Sequence, residues 1–179
     1  DKKEAVDYGA CPFDKEFLEL TTQGEIDLGD GHIYKGSVLP EEHINSVASR
    51  TKLKVESAPR FSSEIGATQS SSVARESVPG RSFNNIKNIY GKGTIHFYNG
   101  TRLDGYFYEG KIIGRGRLIF HNGDIYEGDF KDQKYYGKGI YKFSESHMFT
   151  GFYKGRFINN RITGDGKMHL KLDKKYAGL

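Results

Sequence analysis

The sequence predicts an all-β chain. Its form is an elongated, twisted antiparallel meander of β-hairpins, with an irregular N-terminal leader and a long inserted linker that holds one short helix. Three observations carry this. Paired glycines recur at Gly91/Gly93, Gly114/Gly116, Gly137/Gly139 and Gly164/Gly166, the first three pairs 23 residues apart and the last 27. Apolar residues alternate with polar ones after each pair, which is the period of a half-buried strand. Turn residues fall between the alternating runs, at Asn99-Gly100 and Asn122-Gly123. A fixed period of this length marks a repeat protein.

Each repeat reads as two strands. The first follows the glycine pair and puts Ile95/Phe97, Leu118/Phe120, Tyr141/Phe143 and Met168/Leu170 on one face. Asn-Gly supplies the positive φ that a tight hairpin turn needs. The second strand carries a ring or apolar residue, a glycine and another ring: Leu103/Gly105/Phe107, Tyr126/Gly128/Phe130 and Tyr153/Gly155/Phe157. Glycine there leaves room for a neighbouring ring or backbone. A second turn is centred near Glu109-Gly110, Asp132-Gln133 and Asn159-Asn160.

An isolated copy lies upstream. Gly24, Ile26, Leu28, the Asp30-Gly31 turn and Tyr34/Gly36/Val38 keep the same spacing. A long insertion then precedes Tyr90-Gly91. Four residues, Ser144 to His147, lengthen a later hairpin. Phe149/Gly151 and Tyr153/Gly155 both fit the second-strand slot there, and the spacing to Gly164 favours Tyr153/Gly155. The domain boundaries follow: an acidic leader over 1–23, a hairpin over 24–38, an inserted helix and Ser-rich linker over 39–88, tandem repeats over 89–170 and a tail over 171–179.

The run from Tyr126-Glu-Gly128-Asp-Phe130 to Gly137-Lys-Gly139 resembles the MORN repeat (membrane occupation and recognition nexus). That family's pattern is Tyr-x-Gly-x-aromatic, six residues, then Gly-x-Gly. The likeness covers about 89–170 and 24–38. The chain has no Trp, whereas the family often places one at the aromatic slot, where Phe107, Phe130 and Phe157 stand here. The resemblance implies an elongated twisted sheet with a groove. It also implies scaffold work in cilia and other cytoskeletal assemblies, dimerisation and contact with acidic lipid.

Composition fits a single sheet whose rings cover one face. Hydrophobic residues make up 36% and aromatics 13%, against a usual 45–50% apolar content that also counts glycine. Cys11 alone cannot form an internal disulfide, which points to a reducing compartment. No apolar run approaches the ~20 residues needed to span a membrane, and no signal peptide is visible. A cytoplasmic protein of a cilium or the cytoskeleton is expected.

Charge is unevenly spread. Residues 1–49 hold 4 basic and 11 acidic side chains, residues 50–88 hold 7 and 3, and residues 89–179 hold 16 and 9. Basic residues at outward strand positions keep a bare sheet soluble and block edge pairing. They also suit an acidic partner surface or anionic lipid. The leader reads as irregular, with a short helix near Asp14–Leu20. Pro40 opens a second short helix to about Thr51. Residues 55–88 lack the apolar surface to fold alone and are expected to be ordered by an external acidic partner.

No catalytic residue, cofactor site or metal site is expected. The Gly-x-Gly pairs lack the Lys-Ser/Thr and the helix of a phosphate loop. The six His show no paired metal spacing. No RNA-binding signature accompanies the basic and aromatic residues, so nucleic acid is not an expected partner. Other proteins of a multi-subunit assembly are expected, with acidic lipid as the alternative. The expected binding residues are the same-face rings Tyr34, Phe107, Tyr126, Phe130, Tyr153 and Phe157, lining a groove for a partner helix or strand. The alternative is that they stack on each other as the array's core. The expected structural glycines are Gly36, Gly91, Gly93, Gly105, Gly114, Gly116, Gly128, Gly137, Gly139, Gly155, Gly164 and Gly166.

Overall fold

Nine strands follow one another in sequence and in space. The computed structural model describes residues 7–44, 86–145 and 147–172. Its strands are β1 (Thr22–Gly29), β2 (His32–Val38), β3 (Ile89–His96), β4 (Arg102–Tyr108), β5 (Lys111–Ile119), β6 (Ile125–Lys131), β7 (Lys134–Phe143), β8 (Phe149–Ile158) and β9 (Arg161–Leu172). They form one sheet in the order β1 to β9, with every neighbouring pair antiparallel. The upstream hairpin is therefore not isolated. Strand β2 pairs with β3 across the insertion, with Gly36 opposite Gly93.

Two kinds of turn alternate. Asp30-Gly31, Glu109-Gly110, Asp132-Gln133 and Asn159-Asn160 all have positive φ at both residues, the geometry whose twist matches paired strands. The Asn-Gly turns differ from expectation. Only Gly100 and Gly123 take positive φ there. Gly100 N donates to Phe97 O, and Phe97 N donates to Thr101 O, so the loop is longer than a two-residue hairpin. Asn99 and Asn122 contribute through their side chains instead, accepting from the backbone N–H of Thr101 and Asp124 at 3.0 Å. Such an Asx turn is the other reason Asn favours turns.

The paired glycines sit at bulges. Register shifts occur at Gly36/Val38, Gly105/Tyr106, Gly128/Phe130 and Gly155/Arg156, each opposite one Gly-x-Gly pair. The first glycine of every pair has φ between 63 and 82°. A residue with a Cβ would be strained there.

The two faces of the sheet are covered differently. One buries a continuous cluster running from Leu28 and Tyr34 through Leu103, Phe107, Leu118 and Tyr126 to Tyr153 and Phe157. The other receives the leader. Helix α1 (Lys15–Glu19) begins at Asp14, whose carboxylate accepts from Phe17 N at 2.9 Å. Phe13 and Phe17 stack at 4.6 Å and pack with Leu39 and Tyr90, beside Tyr106 and Tyr108. Asp7 bonds to Arg115 at 2.8 Å, and the Lys92 ammonium lies over the Tyr8 ring. The acidic leader thus docks on the basic array. Residues 41–44 form the helical turn expected after Pro40. The rest of that helix lies outside the described residues, and so does the segment 55–88 expected to be ordered by a partner, except for a 3₁₀ turn at Ile86–Asn88 that leads into β3.

Candidate functional site

A row of glycines crosses the sheet. Gly24, Gly36, Gly93, Gly105, Gly116, Gly128, Gly139, Gly155 and Gly166 stand opposite one another in turn, one on each strand. Rings lie flat across this row. The Tyr126 hydroxyl end would sit 2.5 Å from a Cβ on Gly128 and 2.7 Å from one on Gly139. Tyr34 covers Gly36 and Gly93, and Tyr153 covers Gly155 and Gly166, in the same way. Leu103 replaces the tyrosine in one repeat, and Ile112 Cδ1 fills the slot over Gly105 and Gly116.

The six expected groove rings form this spine. Tyr34, Phe107 and Tyr126 are 0% exposed, Phe157 1%, Tyr153 4% and Phe130 5%. Tyr126 meets Phe130 and Phe157 edge-on at 5.3 and 5.1 Å and stacks on Tyr135 at 3.8 Å. Tyr34 meets Phe107 edge-on at 5.6 Å, and Tyr153 meets Phe157 at 5.4 Å. Edge-to-face geometry is the preferred aromatic arrangement. The structure brings all six together as core, so their assignment as an open binding surface is corrected. The glycine row is the reason: it lets each ring fold onto its own sheet. Burial pushes the phenols of Tyr34 and Tyr126 well above the usual tyrosine range.

A second buried centre fixes the lengthened hairpin. Asp124 is 3% exposed. Its carboxylate accepts from Ser144 N at 2.7 Å and Tyr141 Oη at 2.8 Å, with His147 Nε2 at 2.9 Å. Burial raises its pKa, but the bonds from Ser144, Tyr141 and His147 outweigh it and hold the group below the ordinary aspartate value. The four-residue extension is tied down through His147, which sequence spacing alone did not show. Among the described residues, no three His, Cys, Asp or Glu side chains gather as metal donors.

The exposed surface lies elsewhere. Among the described residues, eight of the ten exposed large apolar side chains fall between Met148 and Leu172. Met168 is 54% exposed and stands opposite buried Tyr153; Leu170 and Leu172 share its face at 44% and 45%. These are core positions of the repeat, and among the described residues no strand beyond β9 covers them. Charge changes at the same place. Residues 22–38 and 86–133 hold eight basic and nine acidic side chains, whereas 134–172 hold eight basic and only Glu145 and Asp165 as acids. No helix among the described residues is long and apolar enough to cross a membrane.

No protein-family model matches the chain, and no curated protein matches it.

Proposed function

We propose that this chain is a MORN-repeat scaffold, a non-catalytic adaptor that binds other proteins within a large ciliary or cytoskeletal assembly. The Tyr-x-Gly-x-aromatic and Gly-x-Gly pattern supports the family. The observation that carries the binding role is the concentration of exposed large apolar residues from Met148 to Leu172, when the described residues before them expose only Leu18 and Tyr98 of this kind. Exposed apolar patches mark interaction surfaces. The test is co-purification of the tagged protein from native extract, quantified by mass spectrometry, beside the Met168→Glu/Leu170→Glu variant. Partners that survive moderate salt and are lost on the variant support the reading. An identical protein set on both overturns it.

The second reading is a peripheral membrane module on anionic phospholipid. The excess of cations over 134–172 favours it. Flotation with phosphatidylserine vesicles tests it. Binding should disappear as salt rises, because exposed charges are screened.

A further inference from the structure

One row of residues, on the face opposite the rings, runs across all nine strands: Glu25, Lys35, Thr94, Asp104, Arg117, Glu127, Ile140, Lys154, Lys167. Its first six members pair with one another. Lys35 bonds to Glu25 at 2.8 Å, Thr94 donates to Asp104 at 2.6 Å, and Arg117 lies 3.3 Å from Glu127. The row then ends in two exposed lysines facing each other, Lys154 and Lys167, at the open edge. Like charges directly opposite are unfavourable. The neighbouring row, on the ring face, ends in exposed Met168. Strand β9 is the last of the sheet and has one edge unpaired among the described residues. An unpaired edge is a template for another strand.

We propose that β9 takes up a tenth, antiparallel strand from a partner protein, and that this strand alternates acidic with aliphatic residues. The carboxylates sit across from Lys167 and Lys171, and the aliphatic side chains sit across from Met168 and Leu170. The inference rests on the adaptor reading and gives it a partner chemistry. The chain itself shows what such a strand looks like, since β1 at the far edge carries Glu25-Ile26-Asp27-Leu28. A second copy fits less well. Strands β1 and β9 run in the same direction, so head-to-tail addition gives a parallel pair, which is less stable per residue. Glu25 is already bonded to Lys35. Pairing β9 with β9 sets two basic edges together. The segment 50–88 is net basic and shares the sign of the edge.

The test is fluorescence anisotropy with a twelve-residue peptide of alternating Glu and Val, matched to the 12 residues of β9. Its controls are an alternating Lys–Val peptide and a Glu–Val peptide N-methylated along one edge. Saturable binding of Glu–Val about tenfold or more tighter than Lys–Val is expected, from two ion pairs added to strand pairing. N-methylation should abolish it. The Lys167→Glu/Lys171→Glu variant should reverse the preference, which an unfolded protein would not do. No saturable Glu–Val binding, or equal binding of the N-methylated peptide, overturns the inference. So does phosphatidylserine-vesicle binding without peptide binding, or concentration-dependent polymerisation in sedimentation velocity. The adaptor reading stands or falls separately, on whether extract partners are lost from the Met168→Glu/Leu170→Glu variant.

Discussion

The Tyr126 hydroxyl donates to the Asp129 carbonyl at 2.9 Å. On β6, Asp129 is the residue that the β6–β7 bulge leaves out of the ladder, so the ring closes a bond that the bulge opens. Tyr34 repeats this on Ser37, the residue skipped between β2 and β3. Tyr153 does not. Arg156, three residues on, stays in register opposite Thr163, and the buried Tyr153 hydroxyl has no hydrogen-bond partner among the described residues. Tyr126→Phe should cost about 1 kcal/mol, the usual net worth of one such bond. Tyr153→Phe should be neutral or slightly stabilising. Urea melts of both variants check this, and equal losses would remove the distinction.

The glycines divide into two classes by what surrounds them. A Cβ on Gly128 would lie 2.6 Å from Gly139 Cα and 2.8 Å from Lys138 O, both backbone atoms. Gly128→Val should therefore destabilise by about 1–3 kcal/mol through overpacking. A Cβ on Gly114 meets nothing within 4 Å, but its φ is 67°. Gly114→Ala should cost about 1–2 kcal/mol from the left-handed backbone alone, and Gly114→Asn less. Thermal melts of the three variants separate packing from conformation.

Asp124 gives the fold an acid limit. Its folded pKa lies below its unfolded value. The stability it contributes is full above about pH 4 and is lost as pH falls through the folded value. Asp124→Asn should flatten stability against pH below that point. It should also lower stability near neutrality by about 2 kcal/mol, since bonds to a buried charge are broken. Denaturant midpoints from neutral pH down to below about pH 4 provide the measurement.

Buried tyrosines set the opposite limit. The phenol pKa values of Tyr34 and Tyr126 are raised by burial. The unfolded chain ionises first, so stability is intact below about pH 10 and declines above it. Tyrosinate absorbance at alkaline pH should rise together with loss of the far-ultraviolet β signal. Independent titration of the rings before unfolding would contradict their burial.

Much of the fold was legible in the glycine spacing and the period-two alternation. Those patterns report which residues share a face, and the order from β3 to β9 followed because the turns between those strands are short, whereas the pairing of β2 with β3 across the long insertion was not legible in them. They do not report whether a face is open. Tyr126 and Tyr153 looked like groove residues because nothing in a one-dimensional pattern says that a ring will lie across the glycine of the next strand. Asn99 and Asn122 mark turns through their side chains, and the sequence does not separate this from the backbone role that also favours Asn. The apolar face of β9 could have been found: Met168 and Leu170 occupy core offsets after the Gly164/Gly166 pair. The Asp124–His147 contact could not, because its partners are 23 residues apart and only the extended hairpin brings them together.

In the adaptor reading, strand β9 is where the array meets its partner. Hydrogen exchange on the isolated chain and on the chain recovered within its native assembly tests it most directly. The amides of β9, over Arg161–Leu172, should exchange readily in the isolated protein and gain protection in the assembly, while β4 to β7 change little. Equal exchange of β9 in both states, with new protection on another surface, would place the partner elsewhere and overturn the assignment of β9.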